Sequence, residues 1–198
     1  MAVTDDTEEK SYVNKKHLLK YTLDDRVSHA MQVSKLAYMV GRELNLDDDT
    51  CQLLFEAGIV HDIGKEKIGS HFYEMKKNPM IVEEIRYVRM HATIGYEILK
   101  EREYPEFILQ SVLHHHENWD GSGYPDSLRG EEIPYGARIL RVCDVFSALI
   151  SDRPYRKAFD SATAVELMIE EIKNFDIKVF LAFQRIIHRD ESYKELSL

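Results

Sequence analysis

The stretch Leu23–Leu44, LDDRVSHAMQVSKLAYMVGREL, decides the fold, because its apolar positions Val27, Ala30, Val33, Leu36, Ala37, Val40 and Leu44 recur at three- and four-residue steps. At 3.6 residues per turn this draws one apolar stripe along a helix. Such a stripe needs a packed partner. Downstream, Leu46 to Asp49 offers an N-cap for a second helix from about Thr50 to Val60, ending near Gly64. Asn78-Pro79 reads as a helix start, since the missing N–H of proline is harmless in a first turn. Its pattern runs to about His91, and a related segment continues to Lys100. Pro105 opens a helix through His116, and the same period returns over Gly136–Ile150, Ser161–Lys173 and Ile177–His188. Between Glu117 and Tyr135, Gly121, Gly123, Pro125, Gly130 and Pro134 break any period, which predicts one long loop. Loops of that length in a compact domain are usually functional. No alternating strand segment and no internal repeat occurs. The sequence therefore predicts an all-α fold in one compact multi-helix domain over residues 23–190. Residues 1–22 read as an acidic leader with a short N-terminal helix, and 191–198 as a tail.

Composition narrows the function. Twenty-six Lys and Arg against 35 Asp and Glu give a formal net charge of −9. Binding to a nucleic-acid polymer runs on Lys and Arg neutralising phosphates, so a general surface for one is excluded. A local pocket for a small phosphate ligand is not. Cys51 and Cys143 lie in apolar segments, read as small buried hydrophobes, and make no disulfide framework, which suits a reducing compartment. The first ten residues lack the apolar core of a signal peptide. No apolar run reaches the ~18–20 residues of a membrane span. A cytoplasmic protein without membrane contact is expected.

Nine histidines in 198 residues are the composition's oddity. His17, His71 and His188 stand in polar surroundings and read as solvated. His61 is different: it precedes Asp62 at the end of an apolar helix, in His61-Asp62-Ile63-Gly64-Lys65. His115-His116-Glu117 stands where a helix enters the long loop. His29, His91 and Asp144 each lie among apolar neighbours on separate segments. An unpaired buried carboxylate costs several kcal/mol, so Asp144 needs a partner. Imidazoles and carboxylates gathered from several helices suit a two-metal site, with ligands that fit Fe, Mn or Zn.

These blocks, with Asp120-Gly121-Ser122-Gly123-Tyr124-Pro125 and Ala137-Arg138-Ile139 leading to Asp144, resemble the HD-GYP domain. That is a branch of the HD superfamily of metal-dependent phosphohydrolases, whose members hydrolyse cyclic dinucleotides, above all cyclic di-GMP. The likeness covers about residues 23–190. It implies an HD-domain-like fold and metal ligands at His29, His61, Asp62, His91, His115, His116 and Asp144. Asp25, one helical turn before His29, stands where some members hold a third metal. Two divalent ions, possible as three with Asp25, are implied, Fe or Mn first among them. Asp62 would bridge the metals, and a bridging hydroxide would attack phosphorus. Lys65 would meet the phosphate, making Asp62 and Lys65 the catalytic pair. Tyr124 and Pro125 belong to a loop beside the active site, and Arg153 and Arg156 match the family's ligand-binding segment.

Two departures stand out. The stretch Ile68 to Met80 differs from the family pattern. Ser147 replaces a second acid found in many members three residues after the last metal Asp, where it contributes to ligand binding. A hydroxyl lacks the charge and reach for a bidentate contact to guanine, so an acid restored there is expected to raise activity on cyclic di-GMP. The implied activity is cyclic dinucleotide hydrolysis, most simply of cyclic di-GMP. The alternatives are another nucleotide, such as the mixed GMP-AMP cyclic dinucleotide or a phosphomonoester, and a non-catalytic module that binds the dinucleotide and signals. A signalling-protein partner or a homodimer is compatible with either. Family members often carry receiver or sensory domains ahead of this one, for which the short leader offers no room.

Overall fold

In a computed structural model, which describes residues 6–68, 88–152 and 157–189, the chain is built of helices, with no strand among the described residues. Among the described residues the helices are α1 Asp6–Glu43, α2 Asp48–Val60, α3 His91–Lys100, α4 Glu106–Leu113, α5 Tyr135–Leu149, α6 Ser161–Glu170 and α7 Ile177–Arg189. Residues 64–68 add a short helical turn after α2, and Gly130–Glu132 and Ile172–Asn174 form 3-10 turns. No helix among the described residues is long and apolar enough to cross a membrane.

Local chemistry sets the helix ends. Asp47 caps α2 by accepting from the Thr50 N–H at 2.8 Å, and Asp160 caps α6 through Thr163 in the same way. Each satisfies an N–H that a helix start leaves without an intrahelical partner. The α1 backbone starts at Asp6, well upstream of Leu23, so the acidic leader continues the same helix. Good helix formers such as Lys and Leu carry it. The helix after Pro105 stops at Leu113 rather than His116. There the His115 ring Nδ1 occupies the Val112 carbonyl at 2.6 Å, which a continuing helix would give to the His116 N–H. The expected helix start at Asn78-Pro79 lies outside the described residues.

The predicted stripe of α1 forms the centre of the core: Val33, Leu36, Ala37 and Val40 are all fully buried. They pack with Leu54 and Ala57 of α2, Ile139, Cys143 and Phe146 of α5 and Phe183 of α7. The Phe146 and Phe183 rings meet edge to face with centroids 4.9 Å apart. Cys51 and Cys143 are both buried and unpaired, as small apolar groups. The helices α1, α2, α3, α4 and α5 thus converge around one end of this core, and each delivers a polar side chain there.

The loop between α4 and α5 is held against the body. The Trp119 N–H donates to the Asn174 carbonyl at 2.9 Å, Gly130 N–H returns to the Trp119 carbonyl, and the Arg138 guanidinium lies over the Trp119 ring. Trp119 therefore packs on the protein beneath it.

Candidate metal centre

The chain brings the expected ligands together, each from its own segment. His29 projects from α1, His61 and Asp62 end α2, His91 opens α3, His115 and His116 follow α4, and Asp144 sits on α5. His61, His91 and His115 are fully buried. Neighbouring rings stand close, with centroids 5.2 Å apart for His61–His115, 4.9 Å for His91–His116 and 4.0 Å for His115–His116.

The rings are aimed by the backbone. Nδ1 of His61 bonds the Gly58 carbonyl at 2.7 Å, Nδ1 of His115 bonds that of Val112, and Nδ1 of His91 bonds that of Val88. A carbonyl accepts only, so each Nδ1 carries the proton and each Nε2 turns a lone pair inward. Two of these nitrogens meet that of His116: His91 Nε2 lies 3.2 Å from His115 Nε2 and 3.1 Å from His116 Nε2. Nitrogens at that separation share a proton or a metal ion. His91, His115 and His116 make one metal-capable group, and His29, His61 and Asp62 another, the donor atoms of each lying within 4.8 Å of one another. His61 Nε2, His29 Nδ1 and Asp62 Oδ1 are buried with no hydrogen-bond partner among the described residues, as ligand atoms would be. Imidazole outer nitrogens fixed by carbonyls are the usual support of metal ligands. The donor set fits divalent transition metals.

Asp62 stands between the groups. Its Oδ2 is 3.4 Å from His61 Nε2 and its Oδ1 is 3.4 Å from His91 Nε2, while Lys65 Nζ donates to Oδ2 at 2.6 Å. Asp144 Oδ1 lies 3.0 Å from His29 Nε2 and 3.7 Å from His61 Nε2. Gly64 makes this arrangement possible, since a Cβ there would sit 2.0 Å from the His91 carbonyl oxygen. Only glycine lets the Asp62–Lys65 turn touch the first turn of α3.

Charge follows the geometry. Burial raises the Asp62 carboxyl, but His61 and Lys65 outweigh it and hold the group far below the usual range. Asp144 is likewise held low by His29 and His61 against its burial. Burial pushes His61 down, yet Asp62 and Asp144 lift it to about 9. Burial lowers His91 and His115, and it drives His116 down to about 3. Ionised carboxylates beside the neutral imidazoles of His91, His115 and His116 are the protonation states that metal binding requires, and an ion at His61 would displace the proton that Asp62 and Asp144 hold there.

The other expected residues lie as follows. Tyr124 stacks on His116 with centroids 4.8 Å apart, its N–H donates to the His116 carbonyl, and the Tyr124-Pro125 peptide is cis. A Cβ on Gly123 would lie 2.4 Å from the Glu117 Cα, so the loop folds directly back onto the His115-His116-Glu117 turn. Glu117 is buried, and its Oε1 accepts from the Asp126 N–H at 2.7 Å, which ties that fold. Asp25 is exposed and belongs to neither metal-capable group. Ser147, expected in the ligand-binding set, is fully buried, and its hydroxyl donates to Gln32 Oε1 at 2.7 Å, so it braces α5 against α1. Arg153 and Arg156 lie outside the described residues.

Sequence reasoning missed three participants. His114, in the same histidine run, turns away and bonds Asp126 Oδ2 at 3.0 Å. Arg141 donates from Nε to Asn118 Oδ1 at 3.0 Å and influences His116, Tyr124 and Asp144 electrostatically. Its position three residues before Asp144, on one helix face, was the available signal. Arg89 lies over the Tyr124 ring at 5.2 Å. Beside the cluster opens a cleft of about 240 Å³, walled by Val27, Met31 and Ile59 and edged by Arg26, Asp62 and Lys65.

Comparison with known proteins agrees with this geometry. The family model of the HD domain matches residues 14–179. The chain is 36% identical to a cyclic di-GMP phosphodiesterase of Pseudomonas aeruginosa over 160 residues, which are 80% of this chain and 38% of that protein. It is 30% identical over 174 residues to the 3'3'-cGAMP-specific phosphodiesterase 1 of Vibrio cholerae, 86% of this chain and 39% of that one. The chain thus spans about two fifths of the length of these relatives. Among solved structures, an HD-GYP-type protein from Bdellovibrio bacteriovorus superimposes with a TM-score of 0.65 at 18% identity, covering 82% of this chain and 52% of that one. Fold, motif order and donor geometry agree, and the chain belongs to the HD domain family, on its HD-GYP branch.

Proposed function

We propose that this chain is a metal-dependent phosphodiesterase that hydrolyses a cyclic dinucleotide, cyclic di-GMP first. The observation that carries the proposal is Asp62, which presents one oxygen to His61 and the other to His91, with Lys65 alongside. In this reading His29, His61 and Asp144 hold one divalent ion and His91, His115 and His116 a second, with Asp62 serving both. Fe or Mn suits this donor set. When bound, such ions supply a reactive water near pH 7 and draw charge from phosphoryl oxygens. The protein's own residues do the rest. Lys65 orients Asp62 and stands free on its other N–H bonds to receive a phosphate oxygen. The Val27–Met31–Ile59 wall offers an apolar seat to a base, and Tyr124 covers His116 and keeps water from that side. Arg153 and Arg156 are proposed to contact the ligand.

A second reading, preference for the mixed GMP-AMP dinucleotide, is favoured by the likeness to the relative whose printed specificity is 3'3'-cGAMP.

The test is to load the protein anaerobically with Mn(II) or Fe(II), measure metal per chain, and assay cyclic di-GMP, the mixed dinucleotide and linear pGpG. Two ions per chain and turnover are expected. In Asp62→Ala both metal and turnover should be lost. Less than one ion per chain without turnover would overturn the proposal, and near-normal turnover in Asp62→Ala would overturn the role of Asp62. A third ion that disappears in Asp25→Asn would assign Asp25.

A further inference from the structure

Two arginines stand one turn apart on the same face of α5, and they differ in what they meet. Arg138 is satisfied: its Nη1 bonds Asp176 Oδ2 at 3.0 Å, its Nε bonds the Ile133 carbonyl at 2.8 Å, and it lies over the Trp119 and Tyr135 rings. Arg141 meets only a neutral amide, Asn118 Oδ1, and no carboxylate lies within ion-pair distance of it among the described residues. The nearest acid on its own face, Asp144, has its oxygen committed to His29 and His61. Yet Arg141 is mostly buried, and burial disfavours its charge. Its bond to Asn118, two residues after His116, places it at the edge of a centre that gains positive charge when metals bind.

A shielded guanidinium without a counter-charge, beside a cationic centre, is unfavourable unless an anion completes it. Guanidinium nitrogens match phosphoryl oxygens two at a time. A cyclic dinucleotide carries two phosphates, and the metal centre with Lys65 engages one. Resting on the proposed substrate class, we propose that Arg141 binds the second phosphate, the one not being cleaved, with its Nη atoms. Asn118 holds Nε and so sets the plane of the fork. Arg89, over the Tyr124 ring, adds positive charge to the same wall.

The test compares Arg141→Gln and Arg141→Lys with the parent protein, all loaded with Mn(II). Two substrates are used: cyclic di-GMP, and bis(p-nitrophenyl) phosphate, which has a single phosphate. In Arg141→Gln the kcat/KM loss on cyclic di-GMP is expected to exceed that on the single diester about 10-fold to 100-fold, the range for losing hydrogen bonds to a charged group. The loss should fall mostly on KM, and Arg141→Lys should recover part of it. Equal losses on both substrates, loss of bound metal, or no loss at all would overturn the assignment, because a merely structural arginine affects both substrates alike. If the parent protein cleaves the single diester but not a cyclic dinucleotide, the substrate proposal fails and this one falls with it. If the parent cleaves cyclic di-GMP and Arg141→Gln matches it, this one fails alone.

Discussion

Replacing Gly64 by alanine adds one methyl group at the contact that sets Asp62 against His91. That methyl would lie 2.0 Å from the His91 carbonyl oxygen and 2.7 Å from the Gly95 nitrogen, against the 3.4 Å at which ordinary contact begins. Both neighbours are backbone at the start of α3, so no flexible side chain can yield. The turn and the helix must part by about 1.4 Å, the difference between 3.4 and 2.0 Å. Forced overpacking of this kind costs about 1–3 kcal/mol. At about 2–4 °C per kcal/mol for a protein of this size, the melting temperature should fall by roughly 2–12 °C. The displacement is also large beside the 3.4 Å separating Asp62 Oδ1 from His91 Nε2, so Asp62 can no longer serve both groups. A misplacement of 1 Å costs about 100-fold in rate, and at least that loss is expected in kcat/KM, with weaker metal retention on dialysis. Calorimetry, elemental analysis of bound metal and the phosphodiesterase assay read the three effects. Gly64→Ala with unchanged melting temperature and full metal content would refute the reasoning.

Other predictions follow from individual contacts. In chelator-treated protein, burial and mutual repulsion hold His91, His115 and His116 below their ordinary values, His116 at about 3. Their contribution to stability is therefore complete above about pH 6.5, where unfolded histidine loses its proton, and is lost as pH falls below it. His61, lifted to about 9, has the opposite sign: its contribution is complete below about 6.5 and lost as pH rises through 9. The melting temperature should therefore peak near pH 6.5, and a steady rise from pH 5 to 9 would contradict it. Arg138→Gln leaves Asp176 buried and unpaired, which should cost about 3–5 kcal/mol by urea unfolding while metal per chain stays unchanged. Ser147→Asp places a carboxylate against Gln32 in a fully buried site. It should lose about 1–3 kcal/mol and gain no activity on cyclic di-GMP; a gain in activity at unchanged melting temperature would restore Ser147 to the ligand.

Residue chemistry marked the histidines and Asp144 as out of place among Val, Leu and Cys, and the resemblance to the HD-GYP domain supplied the ligand set. Periodicity alone then placed His29, His91 and Asp144 on separate helices. Contacts decided by rotamer and by packing between distant segments were not legible. Ser147 and Gln32 are 115 residues apart, and a three-residue step from Asp144 turns a side chain about 60° around α5. That turn points Ser147 to α1 instead of the cluster. The early end of α4 was equally hidden, because it depends on a histidine ring taking a carbonyl that helix propensity assigns to the backbone.

Gly58 with His61, Val88 with His91 and Val112 with His115 repeat one device, a ring steered by the carbonyl three residues earlier. The aim of each imidazole is thus written within four consecutive residues and is indifferent to what surrounds them. Helices can drift as sequences diverge, changing the gap between rings without changing where each ring looks. Four-residue cassettes of this kind can be grafted onto the ends of unrelated bundles, where the designer has only the spacing of the helices left to solve.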